Sequence, residues 1–146
     1  MPGLSSTAMR VPLHTAPHIN RRVQEETMER VRQYEDADNS ELRERLRELD
    51  AEWDTERVLE TNAAGIMLAG VALSAIHSAK WLILSGLAGA FLLQHALQGW
   101  CPPLPIIRRL GIRTQNEIES EKEKIRKIIA RRIEPTPTEE AAAPQP

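Results

Sequence analysis

Three polar side chains stand three residues apart at the end of a long apolar run: His95, Gln98 and Cys101, in LLQHALQGWC. A histidine beside a thiol can take its proton, and the resulting thiolate is a strong nucleophile. The spacing of three keeps the trio on one side of a helix for as long as the helix lasts. If this run pairs antiparallel with the apolar run before it, the trio falls beside Glu60 and Asn62. The candidate thiol site is therefore Cys101, His95, Gln98 and Asn62, with His95 or Arg108 lowering the thiol's pKa. The partial negative charge of a helix C-terminus works against a thiolate there. The competing reading is a purely structural cluster that hydrogen-bonds a fraying last turn.

No other chemistry assembles. One cysteine excludes an intrachain disulfide and a CxxC motif. His77 lies ~27 Å from His95 along a helix, and His14 and His18 sit near the N-terminus, so no metal set emerges. The sequence has no GxSxG, HExxH, Walker A or GxGxxG pattern. The expectation is a chain with no catalytic residues, metal or cofactor, and no enzyme activity.

The elements that must position the trio are two apolar runs, residues 63–79 and 81–99, separated by Lys80 alone. At ~1.5 Å rise per residue they measure ~26 and ~28 Å as helices. A hydrocarbon core ~30 Å thick takes ~17–25 residues, so both are long enough to cross it. The expected fold is all-α: a two-helix transmembrane hairpin, turning at residues 77–80, flanked by charged amphipathic helices. A buried hairpin in a soluble protein would need apolar partners that the charged flanks do not supply.

The mean hydropathy of -0.40 conceals this segregation. Residues 1–62 hold nine basic against fourteen acidic side chains, 63–100 only Lys80, and 101–146 nine basic against seven acidic. A weakly acidic total argues against nucleic acid as a partner. Around the runs, Arg43, Arg45, Arg47, Arg57, Arg108, Arg109 and Arg113 lie on the side of the termini, and Lys80 alone lies at the turn. That asymmetry predicts a multi-pass plasma-membrane protein with both termini cytoplasmic. Small residues four apart, Gly65/Ala69, Gly70/Ser74 and Gly86/Ala90, suit close helix packing. They predict a self-packed hairpin with surface to spare for a homo-oligomer in the lipid bilayer.

The flanks divide further. Residues 1–18, with three prolines and few apolar groups, read as a disordered arm. Residues 19–62 read as charged cytoplasmic helices: one with Ile19, Val23, Val31 and Tyr34 as a thin stripe, then a break at 35–40. Asn39 or Ser40 caps a second helix that carries Leu42, Leu46, Leu49 and Trp53 on one face. This face suits packing against a neighbour or a short coiled coil. The second helix is expected to run unbroken into the first span. After the hairpin, Pro102, Pro103 and Pro105 stop the helix. Residues 104–110 read as an interfacial turn with Arg108 and Arg109 among headgroups, ending at Gly111. Thr114–Glu117 is a capping box opening an amphipathic helix over 115–134, with Ile118, Ile125, Ile128, Ile129 and Ile133 on one side and an EKEK polar face. Residues 135–146 are a low-complexity tail expected to be disordered.

The exit from the hairpin, Gln98-Gly99-Trp100-Cys101-Pro102, followed by Leu110-Gly111-Ile112-Arg113-Thr114, resembles the YgaP-like transmembrane-domain family. The resemblance covers residues 59–114, and Gly99, Cys101, Pro102, Gly111 and Thr114 carry over position by position. It implies a bacterial inner-membrane hairpin of unknown function, found alone or joined to rhodanese domains, and so a possible sulfur-transferase partner. This chain departs from the pattern in having no rhodanese domain and in carrying a helical N-terminal arm of about 60 residues.

Overall fold

The computed structural model describes residues 9–133, and every regular element among them is helical. In chain order these are α1 (Arg10–Leu13), α2 (Pro17–Gln33), α3 (Asn39–Ala51), α4 (Thr55–Ile76), a 3-10 turn (Ala79–Trp81), α5 (Leu82–Gln98), α6 (Leu104–Arg109) and α7 (Gln115–Ile133). The α4 and α5 helices form the hairpin. The α2, α3 and α7 helices form a cap at its open end, and α1 and α6 bridge the two.

Two helices are long and apolar enough to cross a membrane, with only 11% and 17% of their most apolar windows buried. A soluble core helix would be covered. Here Leu68, Ile76, Ile83 and Leu93 are all more than 60% exposed, so the hairpin presents lipid-type surface. Trp81 at the turn and Trp100 at the open end mark the two depths at which indoles sit in a bilayer interface. At the turn the Trp81 Nε1–H donates to His77 Nδ1 at 3.1 Å.

The hairpin closes at Gly70. A Cβ there would stand 2.3 Å from Ser85 Oγ and 3.0 Å from the Trp81 carbonyl, so only glycine permits the approach. One turn away, Ser85 Oγ donates to the Met67 carbonyl at 2.9 Å.

The other small residues of the expected pairs do not make this approach. A Cβ at Gly65 or Gly86 meets nothing within 4 Å, and Ala69 and Ala90 are exposed with them. Ser74 is only half-buried, and its hydroxyl donates to the Val71 carbonyl of its own helix at 2.7 Å rather than across to α5. A serine hydroxyl in an apolar run takes the nearest acceptor, and that is the carbonyl one turn back. The polar bridge between the helices comes instead from Ser85, on the opposite strand of the hairpin. Of the six residues expected at this contact, Gly70 alone makes the close approach.

In the cap, Leu42 and Leu49 of α3 meet Ile118 and Ile125 of α7, with Tyr34, Leu46, Ile128 and Ile129 around them. The leucine face of α3 is thus occupied within the chain, which leaves no seam there for a self-associating coiled coil. On the other side α2 packs on α7, burying Ile19, Val23 and Val31.

The flanks bring further corrections. The second helix does not run into the first span: α3 ends at Ala51, Glu52 turns extended, and Asp54 caps a new helix through Arg57 N–H at 2.8 Å. Acidic side chains so placed satisfy a helix start better than they continue a helix. The cap of α3 is Asp38, not Asn39 or Ser40, and Glu41 completes its capping box. The arm is ordered over 9–18: α1 forms, and Val11 is 2% exposed against Leu59, Cys101, Leu104 and Ile107. Residues 1–8 of that arm and the tail from 134 onward lie outside the described residues. The Thr114 capping box forms as expected, with Thr114 N–H to Glu117 at 2.7 Å and Glu117 N–H to Thr114 Oγ1 at 3.3 Å.

Candidate functional site

The open end of the hairpin gathers a line of polar groups. Glu56 sits in the first turn of α4, just past its cap, and His95 in the last turn of α5. Antiparallel pairing brings them together: His95 Nε2 lies 2.9 Å from Glu56 Oε2. A carboxylate only accepts, so Nε2 carries a proton. The other Glu56 oxygen accepts from Arg10 Nε at 3.3 Å and Nη2 at 3.0 Å, and Arg10 also donates to the Ala96 carbonyl at 3.1 Å. Thus α1 clips α4 to the end of α5.

Cys101 reaches this line by a turn rather than by a helical face. Gly99, at φ 78°, ends α5 in the left-handed region and returns the chain toward the hairpin. A Cβ on Gly99 would also stand 2.5 Å from Arg10 Cβ, so this glycine serves both the turn and the seat of α1. The Cys101 thiol comes to rest beside the His95 ring. His95 is 2% exposed, and its Nδ1 makes no hydrogen bond. The thiol itself is 2% exposed.

Cys101 also lies in the wall of a cavity of about 430 Å³ between the open ends of α4 and α5 and the exit segment. Leu59, Ile66, Phe91, Leu92, Pro103 and Ile107 supply most of its surface, and Asn62 is its one amide. The volume is in the range of small-ligand sites.

Of the four residues expected at the thiol site, His95 and Cys101 are brought together. Asn62 shares the cavity, but its side chain donates to the Val58 carbonyl at 2.7 Å within its own helix. Gln98 is exposed and outside the cluster. The acidic neighbour is Glu56, one helical turn before the expected Glu60. Its place in the first turn of α4 and the antiparallel offset of the hairpin, both seen only in the fold, select it.

Arg108 does not face headgroups or the thiol. It is fully buried, and its five N–H donors find five acceptors: Glu117 Oε2 at 2.8 Å and Oε1 at 2.7 Å, the Ile112 carbonyl at 2.9 Å, Asn20 at 3.1 Å and Thr15 at 3.3 Å. Burial alone would raise the Glu117 pKa, but Arg108 and the Thr114 N–H hold it below the ordinary carboxylate range. Arg113 is likewise turned inward, onto Glu52 (Nε to Oε1 2.8 Å) and Glu121. Glu121 is fully buried and also receives Arg45 at 2.9 Å and Arg30 at 3.4 Å. Burial pushes its pKa up, and the arginines more than reverse this, leaving it lowered. The EKEK face expected in solvent thus holds the cap's central carboxylate.

These charges fasten the cap to the hairpin. Thr55, the first residue of α4, is fully buried and donates its N–H to the Arg113 carbonyl at 2.8 Å and its hydroxyl to the same oxygen at 3.0 Å. Among the described residues no group of histidine, cysteine and carboxylates could hold a metal ion.

Residues 54–117 match a family model described as inner membrane protein YgaP-like, transmembrane domain. The match runs from the cap of α4 to the end of the Thr114 capping box, and so contains Glu56, His95, Cys101, Arg108 and Arg113. The resemblance drawn from the hairpin exit is borne out over this stretch, and the chain is that of a membrane protein. No curated protein matches the chain, and no solved structure matches it either.

Proposed function

Taking residues 54–117 as a YgaP-like transmembrane domain, we propose that this protein is a non-enzymatic membrane anchor and assembly hairpin of the bacterial inner membrane, with its cap in the cytoplasm. The observation that carries this reading is the contrast in closure. The cap buries an aliphatic core and pairs its buried charges within the chain, whereas the hairpin leaves Gly65, Ala69, Gly86 and Ala90 uncovered. Small residues facing lipid gain little from it, and a second helix can approach them closely. Assembly would therefore run through the hairpin, with a second copy or a membrane partner such as a sulfur-transferase protein. The arginine excess at the open end supports the cytoplasmic placement of the cap.

Crosslinking of the full chain in native membranes tests this. A dimer or mixed adduct that is lost in Gly65→Leu or Gly86→Leu is expected. A monomer alone, with no partner captured, overturns the assembly role. Orientation is tested by thiol labelling of Lys80→Cys in a Cys101→Ser background. Reaction with an impermeant reagent from the outer side is expected, and protection there reverses the topology.

The placement of His95 between Glu56 and Cys101 favours a second reading. In it, Cys101 is a reactive thiol that relays sulfur or redox equivalents at the membrane face. Mass spectrometry of Cys101 after persulfide treatment tests it, and an inert, unmodified thiol removes it.

A further inference from the structure

The order Glu56–His95–Cys101 is that of a carboxylate, a base and a nucleophile. Glu56 takes the Nε2 side of the ring, and the buried Nδ1, on a ring beside the Cys101 thiol, has no hydrogen-bond partner. A proton passing from Sγ to Nδ1 leaves a thiolate beside an imidazolium. The Glu56 carboxylate and the C-terminus of α5 both stabilise that cation. The unfavourable effect of a helix end on a thiolate is thereby offset.

What can reach the thiol is set by the cavity. Apart from Asn62 its walls are apolar, and both hairpin helices contribute to it at the level of the bilayer's edge. A hydrophilic electrophile has no such path to a sulfur 2% exposed, whereas a hydrocarbon chain matches these walls. We propose that Cys101, with His95 as base and Glu56 as the positioning residue, takes a long-chain acyl group from an acyl thioester, and that the acyl chain lies in this cavity. The proposal rests on the reactive thiol of the second reading above and gives that thiol an acyl group, in place of sulfur or redox equivalents, as its cargo.

The step balances without an oxidant. The thiolate sulfur bonds to the acyl carbon, and the bond from that carbon to the donor's sulfur breaks. The proton held on His95 Nδ1 passes to the departing thiolate, giving a Cys101 thioester and a free thiol.

The test uses the full chain in phosphatidylethanolamine–phosphatidylglycerol nanodiscs, with palmitoyl-coenzyme A as probe and intact mass as readout. The wild type is expected to gain one palmitoyl group that neutral hydroxylamine removes, and Cys101→Ser none. In His95→Gln and Glu56→Gln the rate should fall at least tenfold. In His95→Gln its pH profile should move up to that of an ordinary thiol. Ala88→Phe, which narrows the cavity, should suppress palmitoyl uptake while N-ethylmaleimide still alkylates Cys101. This variant keeps the test decisive if Glu56→Gln disturbs the fold through Arg10. Equal rates and pH profiles in the wild type and His95→Gln overturn the activation. Alkylation that depends on His95, without palmitoyl uptake, overturns the acyl substrate and leaves the reactive-thiol reading standing. A thiol inert to both reagents overturns the two together.

Discussion

Between α4 and α5 the closest contact is made by the absence of a side chain at Gly70 and one hydrogen bond from Ser85. Between the cap helices it is made by four interlocked aliphatic residues and by Arg30, Arg45 and Arg113 converging on Glu121. The difference follows from the solvent each region meets. In lipid, apolar burial gives helices no reason to associate, so shape must do it. In water, burial drives association, and charges drawn into the interior must be fully paired to be tolerated. Hairpin and cap are two solutions to one packing problem in two solvents.

The sharpest way to break the comparison is at Arg108. Replacement by Ala leaves Glu117 without its arginine partner and both hydrogen bonds from it, and opens a void. A loss of about 3–5 kcal/mol is expected in denaturant unfolding of the cap, followed by near-ultraviolet circular dichroism. A loss under about 1 kcal/mol would mean that the buried pair is solvated. At Gly70 the lesion should be steric. Gly70→Leu is expected to cost about 1–3 kcal/mol of hairpin association, read as faster mobility loss on titration with sodium dodecyl sulfate. Gly65→Leu should leave that intramolecular contact intact.

Acid should separate the two regions. Glu117 and Glu121 have folded pKa values below their unfolded ones, so the unfolded cap binds more protons. The stability they contribute is complete above the unfolded value of about 4.3 and is lost as pH falls through the folded values. Below that window the cap should loosen, read by Trp53 fluorescence, while the far-ultraviolet signal of the hairpin persists. The smallest effect belongs to Asp54→Ala, which removes the cap of α4. About 1 kcal/mol is expected in thermal unfolding, without change in membrane insertion.

The hairpin was legible because its signal is a run of like residues, and a run survives any detail of packing. The same holds for the Thr114 capping box, whose two partners lie within four residues. The small residues inside the run were not, because a spacing of four names a face without saying which face meets the partner. Gly70 meets it, and Ser74 bonds back to Val71. Arg108 was misread because exposure is the ordinary state of a charge, and its partners include Asn20, far away in the chain. His95 and Cys101 were read as a pair from a helical spacing, but α5 ends at Gln98 and the turn at Gly99 brings them together instead. Glu56 was not legible, since its pairing depends on the antiparallel offset of the hairpin. The break at Glu52–Asp54 was hidden because good helix formers flank it on both sides. Only the cap bond from Asp54 distinguishes it.

The position of α7 has a consequence for the order of events during synthesis. The α2 and α3 helices each pack against α7, and the arginines of both meet on its Glu121. On the ribosome these two helices emerge before the hairpin and stay without their α7 partner until it has been made. Arg10 likewise waits for Glu56, and Asn20 for Arg108. The cap therefore cannot close before the hairpin has been made, and an unclosed cap leaves the hairpin free to enter the membrane. Closure of the cap is in effect a report that synthesis of the hairpin is complete.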